Sequence, residues 1–368
     1  MRACGEMADT LDLGSSAERC VGSSPTMPTS QIMEIGRMDS IVFAGNILVD
    51  NVKTIAAWPE KGMLVPITAM ARAVGGSVCN SGIDLKTLDP SLTVKALGKV
   101  GNDDAGDFAI GTLRDRGLDV SLVSRADAPT TFTDVMTVAG TGERTFFNMH
   151  GADSALVPED VDVEALGCDL FHLGYLLLLD GLDAPDAEYG TKAARLLAKV
   201  RSCGIKTSLD IVSEQSPRFP QIVRPALKYC DYLVVNEIEG SLATGLEYRD
   251  AAGRTSPEAL KSIAEELFAL GVKERVVLHC PEFSVSRDAA GRTSVVHSLK
   301  LPPGWVKGSV GAGDAFCAGM LYAFMRGLPD EEGMKLASCA AAANLAALDS
   351  ISGALPLAET RQLERFRG

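Results

Sequence analysis

Residues 307–321, KGSVGAGDAFCAGML, place Gly311, Ala312 and Gly313 directly before Asp314 and then continue as an apolar helix-forming run. An aspartate alone would cap a helix start, so the extra glycines need another reason. Glycine has no Cβ and lets a ligand approach the backbone closely. The N–H groups of a helix's first turn are unpaired and lie at the positive end of the helix dipole. The stretch therefore predicts an anion-binding helix N-terminus.

Asp314 is the residue that gives this helix start a chemical function. A carboxylate repels phosphate, but it can accept the proton of a hydroxyl that attacks a phosphate held by the amides. The alternative interpretation is a simple N-cap after a flexible turn. A dinucleotide-binding loop is disfavoured because Phe316 stands where its last glycine belongs, and the chain lacks the Gly-Lys-Ser/Thr sequence of a P-loop.

Short apolar runs alternate with helical patterns from residue 40 onward. An apolar run without alternation is typical of a strand buried on both faces, and such strands separated by helices predict a doubly wound, mostly parallel α/β sheet. The strand candidates are SIVFAGN, TVKALGKVG, DLFHLGYL, IKTSLD, DYLVVN and ERVVLHC. The helix candidates between them include DAGDFAIGTLRDRGL, YGTKAARLLAKVRSCG and SPEALKSIAEELFALGV.

Two segments break this rhythm, at about residues 50–70 and 130–150. Both combine short alternating stretches with turn signals, which predicts a small β lid inserted into the α/β domain. Ligands of doubly wound folds bind beyond the carboxyl ends of the strands. The polar residues that follow predicted strands, and are therefore candidate ligand-binding or turn residues, are Asn46, Asp50, Asp210 and Asn236.

The composition limits the classes of function. The 368 residues carry a formal net charge of −13, which disfavours nucleic acid and anionic membranes as partners. The 9 cysteines form no CxxC pair and the 4 histidines show no ligand spacing, so neither a disulfide framework nor a structural zinc site is expected. No apolar run approaches the ~20 residues of a membrane span, and a cytoplasmic protein is expected. Residues 1–38 lack periodicity, and we interpret them as a disordered extension before a domain at 39–368.

Four motifs resemble those of the ribokinase-like (PfkB) carbohydrate kinase family, in the same order, from about residue 40 to the C-terminus. GAGDAFCAGML resembles the C-terminal signature of the family, and ARAVGGSVCNSGIDLKTL resembles its N-terminal signature. NEIEG, residues 236–240, matches its Asn-x-x-Glu motif, and FAGNILVD resembles its first strand with a sugar-binding aspartate.

The resemblance implies a role for each matching residue. Those implied to act on the transferring phosphoryl group are Asp314, as the catalytic base, and the backbone amides of Gly311, Ala312 and Gly313. Those implied to bind sugar hydroxyls are Asp50, Gly76 and Asn80. Those implied to organise Mg²⁺ and the nucleotide phosphates, partly through water, are Asn236 and Glu239.

Two further residues, Arg144 and His279, each have two possible interpretations. Arg144, in TGERTFF of the second lid segment, is either a substrate or phosphate contact or an exposed hairpin arginine. His279 either lines the nucleotide pocket or is buried polar packing. The family's Asp-Thr pair is replaced by Gly308 and Ser309, which leaves potassium activation open, and HCPEFS at 279–284 lacks the two glycines of the usual nucleotide-side turn.

The sequence thus predicts an ATP- and Mg²⁺-dependent kinase that phosphorylates a hydroxyl, preferably a primary one, of a small sugar or polyol. The lid is expected to close and exclude water as a competing acceptor. The alternatives are a nucleoside kinase and a catalytically inert sugar sensor. A homodimer through the edge strands of the lid is expected by analogy.

Overall fold

The computed structural model describes residues 37–214 and 216–368. The extension predicted at residues 1–38 lies outside the described residues except for its last two. The strands are β1 (Ser40–Gly45), β2 (Leu48–Ile55), β3 (Ile67–Gly75), β4 (Thr93–Gly101), β5 (Asp119–Ala126), β6 (Phe132–Val138), β7 (Arg144–Met149), β8 (Leu170–Leu176), β9 (Pro185–Asp186), β10 (Gly190–Thr191), β11 (Lys206–Ile211), β12 (Tyr232–Asn236), β13 (Arg275–His279), β14 (Phe283–Asp288) and β15 (Thr293–His297). The α-helices are α1 (Ser77–Leu88), α2 (Asp104–Asp115), α3 (Asp180–Asp183), α4 (Lys192–Ser202), α5 (Phe219–Leu227), α6 (Glu237–Thr244), α7 (Pro257–Leu270), α8 (Ala312–Met325), α9 (Asp330–Asn344) and α10 (Leu357–Gln362).

The central sheet has nine strands in the order β15-β14-β13-β12-β11-β8-β1-β4-β5. Seven are parallel and only β14 and β15 pair antiparallel, which confirms the doubly wound, mostly parallel sheet. The chain proceeds from β1 through β4 to β5 on one side and from β8 to β15 on the other. The strand order therefore switches between β1 and β8, where doubly wound folds open a crevice beyond the strand ends.

Helices cover both faces of this sheet. The apolar side chains of α1, α2 and α8 form one core with β1, β4 and β12, whereas those of α4, α5, α6 and α7 form a second core with β8 and β11 on the opposite face. Helix α8 is almost wholly buried between α1 and α9, because its residues are apolar on every side. Within the described part of the chain, no helix combines the length and apolarity that crossing a membrane requires.

The lid is a separate four-stranded sheet in the order β3-β2-β6-β7. Strand β2 pairs antiparallel with β3 and parallel with β6, and β7 closes the sheet antiparallel to β6. Both lid segments of the sequence therefore join one sheet, although β2 begins at Leu48 and β3 extends to Gly75, directly before α1. The lid thus leads straight into the helix that carries Asn80.

Candidate active site

The start of α8 has the predicted helix-terminus geometry. Gly311 is the N-cap residue with a φ of 82°, a left-handed conformation that favours glycine. Ala312 and Gly313 line a cavity, and a Cβ on Gly313 would meet only the His279 Cε1 atom, at 3.8 Å. Gly311 packs instead against the following loop, where an added Cβ would lie 2.7 Å from the Cα of Ser350. The amides of residues 312 and 313 are therefore the ones that a ligand can approach, and Gly311 permits the turn.

Asp314 lies in the first turn of α8, 7% exposed, with donors on both carboxylate oxygens. The Asn80 Nδ2 atom donates to Oδ2 at 3.0 Å. The Tyr175 hydroxyl donates to Oδ1 at 2.5 Å, and the Ser81 hydroxyl donates to the same oxygen at 3.3 Å. Burial raises the pKa of Asp314, and the bonds from Tyr175, Asn80 and Ser81 oppose that shift. The carboxylate is thus oriented by α1 and β8, and it does not point into the apolar core.

Tyr175 is held at the point where the strand order switches. The side chain of Asn46, which follows β1, accepts a hydrogen bond from the Tyr175 backbone N–H at 2.8 Å. Its Nδ2 atom donates to Asp153 Oδ2 at 2.9 Å and to the Leu178 carbonyl at 3.1 Å. Asn46 is therefore a buried positioning residue for the end of β8, whereas the sequence marked it only as a candidate ligand-binding or turn residue.

The first of two adjoining cavities, about 460 Å³ in volume, lies between α8, α9 and strands β13 and β14. Its walls are mostly apolar, with Phe283, Phe316, Ala342 and Leu345 among them, and the start of α8 forms one end. His279 lines it and packs on Phe316 with ring centroids 4.6 Å apart. Burial lowers the pKa of His279 to about 4, so the imidazole is neutral. A flat heterocycle with a phosphate chain directed at residues 312–313 fits this shape.

The side chains of Asn344 and Cys339 on α9 are engaged outside the first cavity. The Asn344 side chain donates to the Ser350 carbonyl at 2.7 Å, and the Cys339 thiol lies beside Glu364. The residues of α9 that reach the first cavity are Ser338, Ala341 and Ala342. Neither Asn344 nor Cys339 therefore lines the first cavity.

The second cavity, about 240 Å³, shares Asn236, His279 and Gly313 with the first. Three carboxylates line it, those of Asp210, Glu239 and Asp314, and no lysine or arginine is among the described residues that form its wall. Burial raises the pKa of Asp210, and the negative charges of Asp314 and Glu239 raise it further. Carboxylate and carboxamide oxygens with excess negative charge suit a hard cation such as Mg²⁺.

Asn236 and Glu239 form a capping box at the start of α6. The Glu239 N–H donates to Asn236 Oδ1 at 2.8 Å, and the Asn236 N–H donates to Glu239 Oε2 at 2.9 Å. Glu239 Oε1 also accepts from the Ser213 hydroxyl at 2.8 Å. Burial raises the pKa of Glu239 to about 7, although the Asn236 N–H opposes the shift. The pair is therefore fixed in place at the cavity wall, where water could connect it to a cation.

The implied substrate residues lie around the first turn of α1. A Cβ on Gly75 would stand 2.7 Å from Asp50 Oδ2, and one on Gly76 would stand 2.5 Å from the Asn46 carbonyl oxygen, so the glycine pair admits both neighbours. Burial raises the pKa of Asp50 to about 6, with opposition from Thr133 and from the charge of Arg144. Asn80 reaches Asp314 directly, and its Oδ1 accepts from the Ser350 hydroxyl at 2.8 Å.

The Cys79 thiol lies near both Asp50 on the substrate side and Asp314. Burial raises its pKa, and the charges of Asp50 and Asp314 raise it further, so both carboxylates lie near the first turn of α1. Arg144 is close enough to Asp50 to influence its pKa, and its Nη2 atom donates to the Leu348 carbonyl at 2.7 Å. The arginine therefore ties the lid to the loop after α9 and borders the substrate side.

Sequence reasoning missed Tyr175 and Ser81 and marked Asp210 only as a candidate ligand-binding or turn residue. Tyr175 stands at the end of a predicted parallel strand, so the strand-end criterion that selected Asn46 and Asn236 applied to it as well. Ser81 follows Asn80 on α1, and nothing in its spacing distinguishes it from a helix-surface serine. Only the packing of α1 against α8 brings it to Asp314.

Comparisons with known proteins agree with this geometry. The model of the pfkB family carbohydrate kinase matches residues 38–356. The probable chloroplastic fructokinase-6 of Arabidopsis thaliana is 25% identical over 332 residues, which cover 88% of this chain and 80% of that protein. A 5-dehydro-2-deoxygluconokinase of Geobacillus kaustophilus is 25% identical over 302 residues, covering 80% and 84%. The structure of Arabidopsis thaliana ribokinase complexed with ribose and ATP has a TM-score of 0.74 at 22% identity, covering 90% of this chain and 99% of that one.

Proposed function

The chain belongs to the pfkB family of carbohydrate kinases, and we propose that it transfers the γ-phosphoryl group of ATP to a hydroxyl, preferably primary, of a small sugar or polyol. One observation carries this proposal. The Asp314 carboxylate stands at the start of α8, on the wall of the second cavity, next to Gly313 that lines both cavities, and in contact with Asn80 of the substrate-side helix. A base between a phosphate-sized opening and a polyol-binding turn suits attack by an alcohol.

Different residues are proposed to bind the terminal phosphate, accept the proton and hold Mg²⁺. The amides of Ala312 and Gly313 face the position of the terminal phosphate, where the helix dipole favours negative charge. Asp314 takes the proton of the attacking hydroxyl. Mg²⁺, when bound, offsets charge on the phosphates, and the residues that would hold it, partly through water, are Asn236, Glu239 and Asp210.

Tyr175 controls access to the base. Asn80 is fixed by a second bond to Ser350 and Ser81 is fully buried, whereas Tyr175 lines the second cavity. An acceptor hydroxyl that binds to Asp314 therefore displaces the bond from Tyr175. In the resting protein this bond favours the ionised carboxylate.

The substrate side is proposed to consist of Asp50, Asn80 and the lid. Carboxylate and carboxamide groups are suitable partners for adjacent hydroxyls of a sugar, and Gly76 lets the turn before α1 approach the Asn46 carbonyl closely. Arg144 fastens the lid to Leu348 and adds positive charge, which suits an acidic sugar such as that of the Geobacillus relative. Closure of this lid excludes water from the phosphoryl transfer.

A panel assay tests the proposal. Release of ADP is measured with fructose, ribose, 5-dehydro-2-deoxygluconate and adenosine, each with and without K⁺. Turnover with a sugar supports the proposal, and turnover with adenosine alone would reassign the chain as a nucleoside kinase. A sugar that raises Tm without any ADP release would favour the inert sensor. The potassium arm decides whether Gly308 and Ser309 still permit activation by a monovalent cation.

The lid is also proposed to form a homodimer. Its apolar side chains are exposed to an unusual degree, with Met70 at 71%, Phe146 at 55% and Phe147 at 51%. Trp58 stacks on Phe147 with ring centroids 6.2 Å apart, which extends the apolar patch. Sedimentation of the wild type and of Phe147→Glu tests this: a dimer that the substitution converts to a monomer supports the interface, and an unchanged state contradicts it.

A further inference from the structure

Three chemically distinct side chains meet beneath the second cavity. His172 extends from β8, Asp210 from the neighbouring strand β11, and Cys317 from α8 above them. One ligand atom from each lies within 4.8 Å of the other two, and all three residues are buried. They are 38 and 107 positions apart in sequence, so no spacing pattern marks them. The parallel pairing of β8 with β11 and the packing of α8 bring them together.

His172 is the member of this cluster that has a buried ring nitrogen without a hydrogen-bond partner in the part of the chain that the structure describes. Its side chain is 0% exposed, and Nδ1 lies 3.1 Å from the Ser208 hydroxyl. Nε2 has no hydrogen-bond partner among the described residues, although an unpaired buried nitrogen is costly. Burial lowers the pKa of His172 to about 3, so the imidazole is neutral and one nitrogen presents a lone pair. The ring is the commonest type of metal ligand in that state.

The cluster is reachable and close to metal-binding dimensions. Asp210 and Cys317 both line the second cavity, so an ion can enter through it. A point equidistant from three atoms 4.8 Å apart lies about 2.8 Å from each, against ~2.0–2.3 Å for zinc bonds to nitrogen, oxygen and sulfur. Since 4.8 Å is the upper limit of the separations, side-chain shifts of less than about 1 Å complete the contact.

We propose that His172, Asp210 and Cys317 form a binding site for a thiophilic divalent cation of the Zn²⁺ class, with the fourth ligand position open to the second cavity. Thiolate and imidazole prefer such ions, whereas Mg²⁺ prefers oxygen ligands such as those of Asn236 and Glu239, so Asp210 is the one residue that the two proposed cation sites share. Binding converts the Cys317 thiol to a metal-bound thiolate and releases its proton to solvent. The ion pairs with Asp210, on which the charges of Asp314 and Glu239 act and which the proposed Mg²⁺ site shares, and it thereby inhibits the proposed phosphoryl transfer.

The test uses the full chain after chelator treatment, without ATP or sugar, so that it is independent of the proposed kinase activity. Co²⁺ replaces Zn²⁺ as a spectroscopic probe: we expect a thiolate-to-cobalt charge-transfer band together with the intense visible bands of four-coordinate cobalt. Zn²⁺ should bleach both bands stoichiometrically. Calorimetry in buffers of different ionisation enthalpy should show the release of between about one and two protons per ion, one from the Cys317 thiol and a further fraction from Asp210, whose pKa is raised by burial.

Variants assign the ligands. Cys317→Ser and His172→Gln should each abolish the charge-transfer band or weaken Zn²⁺ binding by at least about 100-fold, since loss of even an outer partner costs 10–100-fold. Cys230→Ser, another buried cysteine, and Cys203→Ser, an exposed one, are matched controls and should bind as the wild type does. Absence of a charge-transfer band in the wild type would overturn the site, as would a band that survives Cys317→Ser and disappears in Cys203→Ser.

Discussion

Replacing Asp314 by Asn tests the proposed base with little disturbance of structure. The carboxylate accepts from Asn80 through one oxygen and from two hydroxyls, those of Tyr175 and Ser81, through the other. An amide oxygen can keep the bond from Asn80, while the amide NH₂ faces the two hydroxyls, which can turn and accept. The variant therefore keeps the packing and most of the polar contacts, and it loses the ability to take a proton.

The expected loss of activity is large, and the stability should change in the opposite direction. General-base catalysis contributes about 10²–10⁴-fold, so kcat should fall by that factor, or about 3–5 kcal/mol in activation free energy. Burial raises the pKa of Asp314, so the folded chain binds this proton more tightly than the unfolded chain. The stability that Asp314 contributes in its protonated form is therefore lost as pH rises from the unfolded pKa of about 4 towards the folded pKa. Asn removes that loss, and Tm at neutral pH should be equal to or above that of the wild type.

The assay is kcat with the best acceptor of the substrate panel, together with Tm against pH for the same preparations. Asp84→Asn is the matched control, because Asp84 is another buried aspartate, on α1, and neither of its carboxylate oxygens has a partner among the described residues. The control should keep wild-type kcat. Turnover of Asp314→Asn close to that of the wild type would refute the base assignment, whatever the change in Tm.

Three further predictions concern the neighbours of this carboxylate. Tyr175→Phe removes the donor that an acceptor hydroxyl displaces, so the acceptor KM should fall by up to about tenfold and the acid limb of kcat/KM, which reports the free enzyme, should move to higher pH; a higher KM with an unmoved limb would make Tyr175 a substrate contact instead. Burial raises the pKa of Glu239 to about 7, so kcat/KM for ATP should fall as pH drops below that value, and more Mg²⁺ should shift this limb to lower pH because the cation favours the ionised carboxylate; identical limbs at low and high Mg²⁺ would contradict this role. Gly76→Ala and Gly62→Ala share a positive φ, 88° and 85°, but only the first places a Cβ against a backbone oxygen, that of Asn46. Both substitutions carry ~1–2 kcal/mol of backbone strain. Gly76→Ala should therefore lower Tm clearly more than Gly62→Ala does, and equal losses of Tm would argue against the close approach.

The layers of the fold were predictable because they depend on local pattern. The continuous apolar runs of β1, β8, β12 and β13 indicated strands buried on both faces, and the structure confirms the parallel sheet that they imply. The antiparallel strands β14 and β15 were not identified. Ser284 and Ser286 interrupt the apolar run of β14 although both are buried, so the alternation resembles that of a half-exposed strand or a turn. Strand order was likewise outside the reach of local pattern, since it depends on which helices pack together.

The site was predictable to the extent that its residues belong to short motifs. The structure brings Asp314 and Asn80 into contact across 234 positions, and each was identified from its own local signature. Tyr175 and Asp210 belong to no such motif: each stands at the end of a strand, but its role depends on the neighbours that strand pairing and α8 supply. A motif states which residue types a site needs, whereas the charge balance around them appears only after folding.

That charge balance explains how one aspartate can remain ionised and still act as a base. Burial raises the pKa of Asp314 and so favours the protonated carboxyl, which cannot accept the acceptor's proton. The three donors oppose this shift and favour the ionised form in the resting protein. When a sugar hydroxyl takes the place of Tyr175, the number of donors is unchanged, but one of them now carries the proton to be transferred. The reaction thus begins from a hydrogen bond that already joins acceptor and base, and the low polarity that raised the pKa of Asp314 now favours transfer of the proton to it.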